Sequence, residues 1–177
     1  LSYLNKGIAV LLALVAFIAT PITAKANSLS YIPPQETDGV PVEIRQIAEI
    51  VGGEFNICPE LLEAMACQES TYKADATNGT CKGLMQINTG LHKERFTDAG
   101  WSTEDWDNAY KNMYVAADYL AELFEKYEDV ALVLYYYNGD STNLKRYKES
   151  GYLSYYVKSI LEKSEELEYL HGRKGDF

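Results

Sequence analysis

The chain has 177 residues, enough for one domain with a real core and short extensions, and carries a net charge of −10. That charge excludes a nucleic-acid surface, because duplex binding depends on cationic neutralisation of phosphates. Three Cys and two His give no paired ligand spacing for zinc, so neither a metal nor a cofactor is expected.

Residues 1–26 form the first element. Lys6 is followed by a nearly unbroken apolar run from Gly7 to Ala19, then Pro21, then Ala24-Lys25-Ala26. A basic start, a short apolar run and a small-x-small site make up an export signal, removed on maturation. An uncleaved anchor is the alternative and the one expected route to a membrane, although the run is short of the roughly 20 residues a spanning helix needs. The segment holds two lysines and no acids, so the mature charge is −12. Export places the protein outside the cytosol, in the periplasm, the cell wall or the medium. Residues 27–41, with Pro33, Pro34, Gly39 and Pro41, read as an extended linker.

From Val42 the pattern is helical. Ile44, Ile47, Ala48 and Val51 share a face, and Gly52-Gly53 stops the run. Pro59 suits the first turn of a second helix, on which Leu62, Met65 and Glu69 recur at intervals of three and four. Lys73 to Lys82 is polar with an Asn78-Gly79 turn, and Gly83 to Asn88 reads as a short strand or extended loop. Asp107 or Asn108 caps a long helix striped by Met113, Ala117, Leu120 and Phe124. Asp129 to Tyr137 is a further apolar stretch, ended by Asn138-Gly139, and two more helical patterns fit 142–149 and 152–169. The expected fold is mainly α, a single domain with at most a small β element.

Glu69 stands out because it lies on an apolar helix face. Burial without a partner raises a carboxyl's pKa and keeps it protonated near neutrality, as a proton donor to a leaving oxygen must be. Periodicity alone leaves a second reading open, a helix-end Glu whose carboxylate reaches solvent.

The wider segment bears on that choice. Cys58 to Ser70, ending in Glu69-Ser70, then Gly83-Leu84-Met85-Gln86-Ile87-Asn88, then Tyr136-Tyr137-Asn138-Gly139-Asp140, resemble in order and separation the three motifs of the lytic transglycosylase family with the lysozyme-like fold. Asn112-Met113 and Tyr119-Leu120 are similar to two further family positions. The resemblance covers roughly 42–140 and implies a catalytic domain there, with 141–177 as a helical extension. Its third motif departs from the family: Tyr136 replaces the usual Ala, Gly139 follows Asn138 directly, and Asp140 takes the place of the Gly.

The resemblance implies a peptidoglycan-cleaving lytic transglycosylase, with glycan strands as substrate and a 1,6-anhydro-muramic end as product. It makes Glu69 the catalytic acid and base. Gln86, Asn88, Thr77 and Ser70 become substrate contacts, and Tyr137 the tyrosine that hydrogen-bonds near the acid. Gly83 and Asn138 take structural places, with Leu84 and Met85 in the core. Small family members accompany secretion, conjugation or phage machines, so such a machine is the kind of partner implied. A goose-type muramidase, with Asp98, Glu104 or Asp105 as second carboxylate, and a non-catalytic wall-binding protein are the alternatives.

Helix spacing bears on the cysteines. Cys58 precedes Glu69 by 11 residues, close to three turns, so both fall on one face, while Cys67 points away. Cys81 precedes the segment expected against that face, which makes Cys58–Cys81 the expected disulfide and Cys67 the free thiol.

Overall fold

A computed structural model describes residues 38–173. The expected signal segment and residues 27–37 of the linker lie outside them. Among the described residues there are seven α-helices and a minimal sheet: α1 (Val42–Phe55), α2 (Pro59–Ser70), β1 (Thr77–Asn78), β2 (Cys81–Lys82), β3 (Ile87–Asn88), α3 (Lys93–Asp98), α4 (Ala109–Lys126), α5 (Val130–Asn138), α6 (Ser141–Ser150) and α7 (Tyr155–Leu170). A 3-10 turn, Thr103–Asp107, leads into α4. The strands pair antiparallel in the order β1-β2-β3, with Cys81 opposite Asn88 and Lys82 opposite Ile87. Among the described residues no helix is long and apolar enough to cross a membrane.

Local chemistry sets the helix ends. Pro59 opens α2, where its missing N–H would have had no partner. The side chains of Asn108, Asp129, Asp140 and Ser154 cap α4, α5, α6 and α7 by accepting from backbone N–H groups one turn in. Gly139 closes α5 in the left-handed conformation, φ 73°. The third motif's early glycine is therefore a helix stop.

The core runs through the middle of the helix array. Leu62, Met65 and Ala66 of α2 are fully buried with Met113, Ala117 and Leu120 of α4, Val133 and Leu134 of α5, and Val157, Ile160 and Leu167 of α7. Leu84 and Met85 are also fully buried, as the sequence suggested. The segment beyond 140 forms no separate unit. The described residues make one compact body, and α7 packs along α2, the helix that carries Glu69.

The expected Cys58–Cys81 bridge is not formed: all three cysteines are free thiols. Helical spacing concerns the angle of Cys58 and Glu69 around α2 and ignores their separation along it. Eleven residues at 1.5 Å rise span roughly 16 Å, far beyond disulfide reach. Cys58 sits at the start of α2, where its thiol donates to Glu60 Oε2 at 3.1 Å, while Cys81 lies beside Glu69 at the other end.

Candidate active site

The C-terminal end of α2 is an unusual stop. Thr71 and Tyr72 both take the left-handed conformation, φ 54° and 63°, which costs a non-glycine residue about 1–2 kcal/mol each. The Ser70 hydroxyl holds this turn, donating to Ala66 O at 3.2 Å and accepting from Lys73 N at 3.0 Å. Ser70 is buried and spent on the backbone, so the structure gives it a turn-forming place instead of the expected substrate contact. The turn leaves Glu69 at the mouth of a cleft of about 370 Å³.

The cleft floor comes from the second motif. A Cβ on Gly83 (φ 81°) would lie 2.3 Å from Asn112 Nδ2 and 2.3 Å from Trp106 O, so only glycine fits. Asn112, fully buried on α4, fastens this segment at two points. Its Oδ1 accepts from Met85 N at 2.8 Å, and its Nδ2 donates to Lys82 O at 3.0 Å. Gln86, at φ 48°, folds its amide back to donate to Ala76 O (3.1 Å) and Gly83 O (2.9 Å), and so lines the cleft with a fixed orientation.

The acid's neighbours come from α5 and α7. Tyr137 lines the cleft, but its hydroxyl donates to Met85 O at 2.8 Å. The hydroxyl that meets the acid belongs to Tyr156, which donates to Glu69 Oε1 at 2.5 Å. Tyr137 thus lies near the acid without touching it, and Tyr156 makes the contact. The two rings occupy one neighbourhood, and sequence order alone could not say which hydroxyl reaches the carboxyl. Asn138 borders the cleft and hydrogen-bonds Tyr156, a more direct part than holding the loop. Asn78, Cys81 and Gln68 complete the lining.

Two other expected contacts fall outside this lining. Thr77 is exposed, and Asn78 takes its place in the cleft. Strand alternation explains the exchange, since adjacent residues of β1 face opposite ways. Asn88 closes the following loop, with Oδ1 accepting from Gly90 N and Leu91 N at 3.1 Å each and Nδ2 donating to Thr80 Oγ1 at 3.2 Å.

Burial dominates the electrostatics. It raises the Glu69 carboxyl to about 7, against a smaller lowering by the Tyr156 hydrogen bond. Burial likewise raises the phenols of Tyr137 and Tyr156, and the nearby Glu69 charge adds to the rise in both. Both remain neutral hydrogen-bonding groups. Glu69 is the only carboxyl in the cleft lining.

A larger hollow of about 560 Å³ adjoins, lined by His92, Arg95, Asp118, Tyr119 and Glu122 among others. Tyr119 stacks on Tyr137 at 5.7 Å between ring centres, so hollow and cleft share a wall. Arg95 binds both Asp118 and Glu122, and Lys126 with Arg95 holds the Glu122 carboxyl below its ordinary value. Asp98 borders it in the open, Glu104 is exposed, and Asp105 is held by Lys111 at 2.8 Å and by the Ser102 backbone N–H at 2.9 Å. Among the described residues no group of His, Cys, Asp and Glu is placed to hold a metal ion.

Residues 47–156 match the model of the transglycosylase SLT domain. Among solved structures, lytic transglycosylase Slt from Pseudomonas aeruginosa, in an inactive mutant form, superposes with a TM-score of 0.55 at 20% identity. The match covers 71% of this chain and 21% of that one, so the chain corresponds to about a fifth of the larger protein. No curated protein is significantly similar in sequence. The mainly α, lysozyme-like fold follows from the superposition.

Proposed function

The chain belongs to the transglycosylase SLT domain family, and from that premise we propose that it cuts peptidoglycan at the β-1,4 bond between N-acetylmuramic acid and N-acetylglucosamine, leaving 1,6-anhydro-muramic ends. The observation that carries this reading is a single carboxyl, Glu69, alone in its cleft and held protonated to about pH 7.

In this reading Glu69 gives its proton to the glycosidic oxygen as the bond to C1 breaks and the N-acetylglucosamine hydroxyl departs. The resulting carboxylate takes the proton of the muramic C6 hydroxyl as that oxygen bonds to C1. Proton and charge balance, no water is consumed, and Glu69 returns to its acid form. A retaining hydrolase needs a second carboxyl about 5–5.5 Å from the first, and an inverting one needs a second at about 6.5–9.5 Å. Neither is supported here, because Asp98, Glu104 and Asp105 all lie outside the cleft lining. The sugar's own hydroxyl, held against C1, supplies the nucleophile at high effective concentration.

Tyr156 orients the carboxyl and steadies its charged form between the two proton transfers. Gln86, Asn78 and Asn138 offer fixed amides to sugar hydroxyls and acetamido groups. The site of action is the cell wall or periplasm, consistent with the signal expected in residues 1–26. The catalytic unit in this proposal extends through α7, because Tyr156 belongs to it.

Glu69→Gln tests the assignment. The amide keeps shape and hydrogen bonding but gives up no proton, so turnover of purified peptidoglycan falls by about 10²–10⁴-fold while the helical circular dichroism is unchanged. Wild-type turnover in that variant removes Glu69 from the chemistry.

A further inference from the structure

Helices α2 and α7 lie antiparallel, and a polar contact closes each end of the pair. At the cleft end, Tyr156 in the first turn of α7 meets Glu69 in the last turn of α2. At the far end, His171, just past α7, sits between two carboxylates. Its Nδ1 is 2.8 Å from Glu60 Oε1 in the first turn of α2, and its Nε2 is 3.1 Å from Asp38 Oδ2 ahead of α1. An ionised carboxylate only accepts hydrogen bonds, so the ring satisfies both partners when both nitrogens carry a proton.

Further ionic contacts surround the ring. Arg45 binds Asp38, Arg173 Nε lies 2.9 Å from Glu60 Oε1, Glu49 binds Arg173, and the Cys58 thiol donates to Glu60. Glu63 is fully buried one turn on from Glu60, with neither carboxyl oxygen hydrogen-bonded and Arg45 Nε 3.9 Å away. Burial raises its pKa to about 7, so at mildly acidic pH it is neutral. Asp38, Glu49 and Glu60 thus meet Arg45, His171 and Arg173 in one cluster. Burial alone would raise Asp38 and Glu60, but the hydrogen bonds and cations around them outweigh it and hold both below the usual range.

We propose that His171, clamped between Asp38 and Glu60, is a positioning residue that sets the register of α7 on α2 and thereby holds the Tyr156 hydroxyl on Glu69. The apolar face of α7 does not fix that register by itself. Val157, Ile160 and Leu167 recur at helical spacing with Ser164 buried on the same face, so the polar clamp acts beside this packing in opposing a slide of one turn, about 5.4 Å. Such a slide carries Tyr156 away from the acid. Charged hydrogen bonds at a defined point forbid it, which is the best-attested use of buried ionic groups.

The inference rests on the reading of Glu69 as the acid only for its catalytic consequence; its test needs no substrate. In protein labelled with 13C at the glutamate side-chain carboxyl, Glu69 is assigned by the signal missing in Glu69→Gln. Its titration is followed at about 0.5 M salt, where direct field effects are screened within about 4 Å. Tyr156→Phe removes the contact and moves the Glu69 midpoint up by about one pH unit. His171→Gln, folded by circular dichroism, moves it upward by a measurable part of that amount. A folded His171→Gln that titrates Glu69 as wild type does overturns the proposal. Should that variant fail to fold, Asp38→Asn gives the same comparison, and an unchanged midpoint there overturns it equally. Turnover plays no part in these readouts, so a protein that proved inactive on peptidoglycan would still show or lack the shift on which the clamp stands.

Discussion

The Tyr156 hydroxyl reaches Glu69 Oε1 at 2.5 Å from a helix 87 positions away in sequence, and this contact partly offsets the rise that burial imposes on the acid. A general acid works while protonated, so cleavage falls as pH rises through about 7, the value to which burial lifts Glu69. Tyr156→Phe removes a contact that favours the carboxylate. The alkaline limb of the pH–rate profile therefore moves to higher pH, while the rate at the optimum drops as the carboxyl loses its orientation. A limb that stays in place or moves to lower pH contradicts this role.

Stability carries a second signature of buried acid. Glu63 and Glu69 both have native pKa values near 7 against an ordinary 4.5. The folded protein thus binds more protons than the unfolded chain between those values, and stability declines as pH rises from 4.5 to 7. For one group shifted this far the loss is on the order of 2–3 kcal/mol. Glu63→Gln removes one of the two contributions and about halves the decline in chemical-denaturation midpoints. An undiminished slope shows that Glu63 is charged throughout.

The cleft floor depends on Asn112 and Gly83. Asn112→Ala strands Met85 N–H and Lys82 C=O in the interior, at about 2–4 kcal/mol. It also frees the carbonyl that anchors Tyr137, so activity falls further than stability alone accounts for. Gly83→Ala forces a Cβ to within 2.3 Å of Asn112 Nδ2 at φ 81°, at about 3 kcal/mol. Thermal melts of both variants, beside turnover at a temperature where each is folded, check the two effects separately.

The three acids outside the cleft supply a control. Asp98→Asn, Glu104→Gln and Asp105→Asn, made singly, leave the rate within a few-fold of wild type, because none faces Glu69. Loss of cleavage in any one identifies it as a second catalytic carboxylate.

What was legible in the sequence was mostly local. The α2 face, its Pro59 start and the Asn108 cap are properties of short windows, and these two helices form close to where the pattern put them. Glu69, Gln86 and Tyr137 come together because the motifs holding them fold against one another. What stayed hidden was long-range or axial. Tyr156 lies in a segment rich in tyrosine, where nothing local distinguishes the one hydroxyl that meets the acid. Cys58 and Glu69 fall on one face of α2 by spacing, yet Cys58 stands at its start while Cys81 lies with Glu69 at the other end, and angular periodicity carries no information about distance along the axis. Asn88 and Ser70 carry the polar groups suited to sugar, yet nearby backbone groups claim them first.

The most direct measurement is the mass of the fragments released from purified peptidoglycan digested in ¹⁸O-labelled water. With the muramic C6 hydroxyl as nucleophile, the new ends are 1,6-anhydro sugars, lighter by one water than ordinary reducing ends and free of the heavy oxygen. Reducing ends carrying ¹⁸O at C1 would show that water attacks, and the single-carboxyl account of this cleft would be wrong.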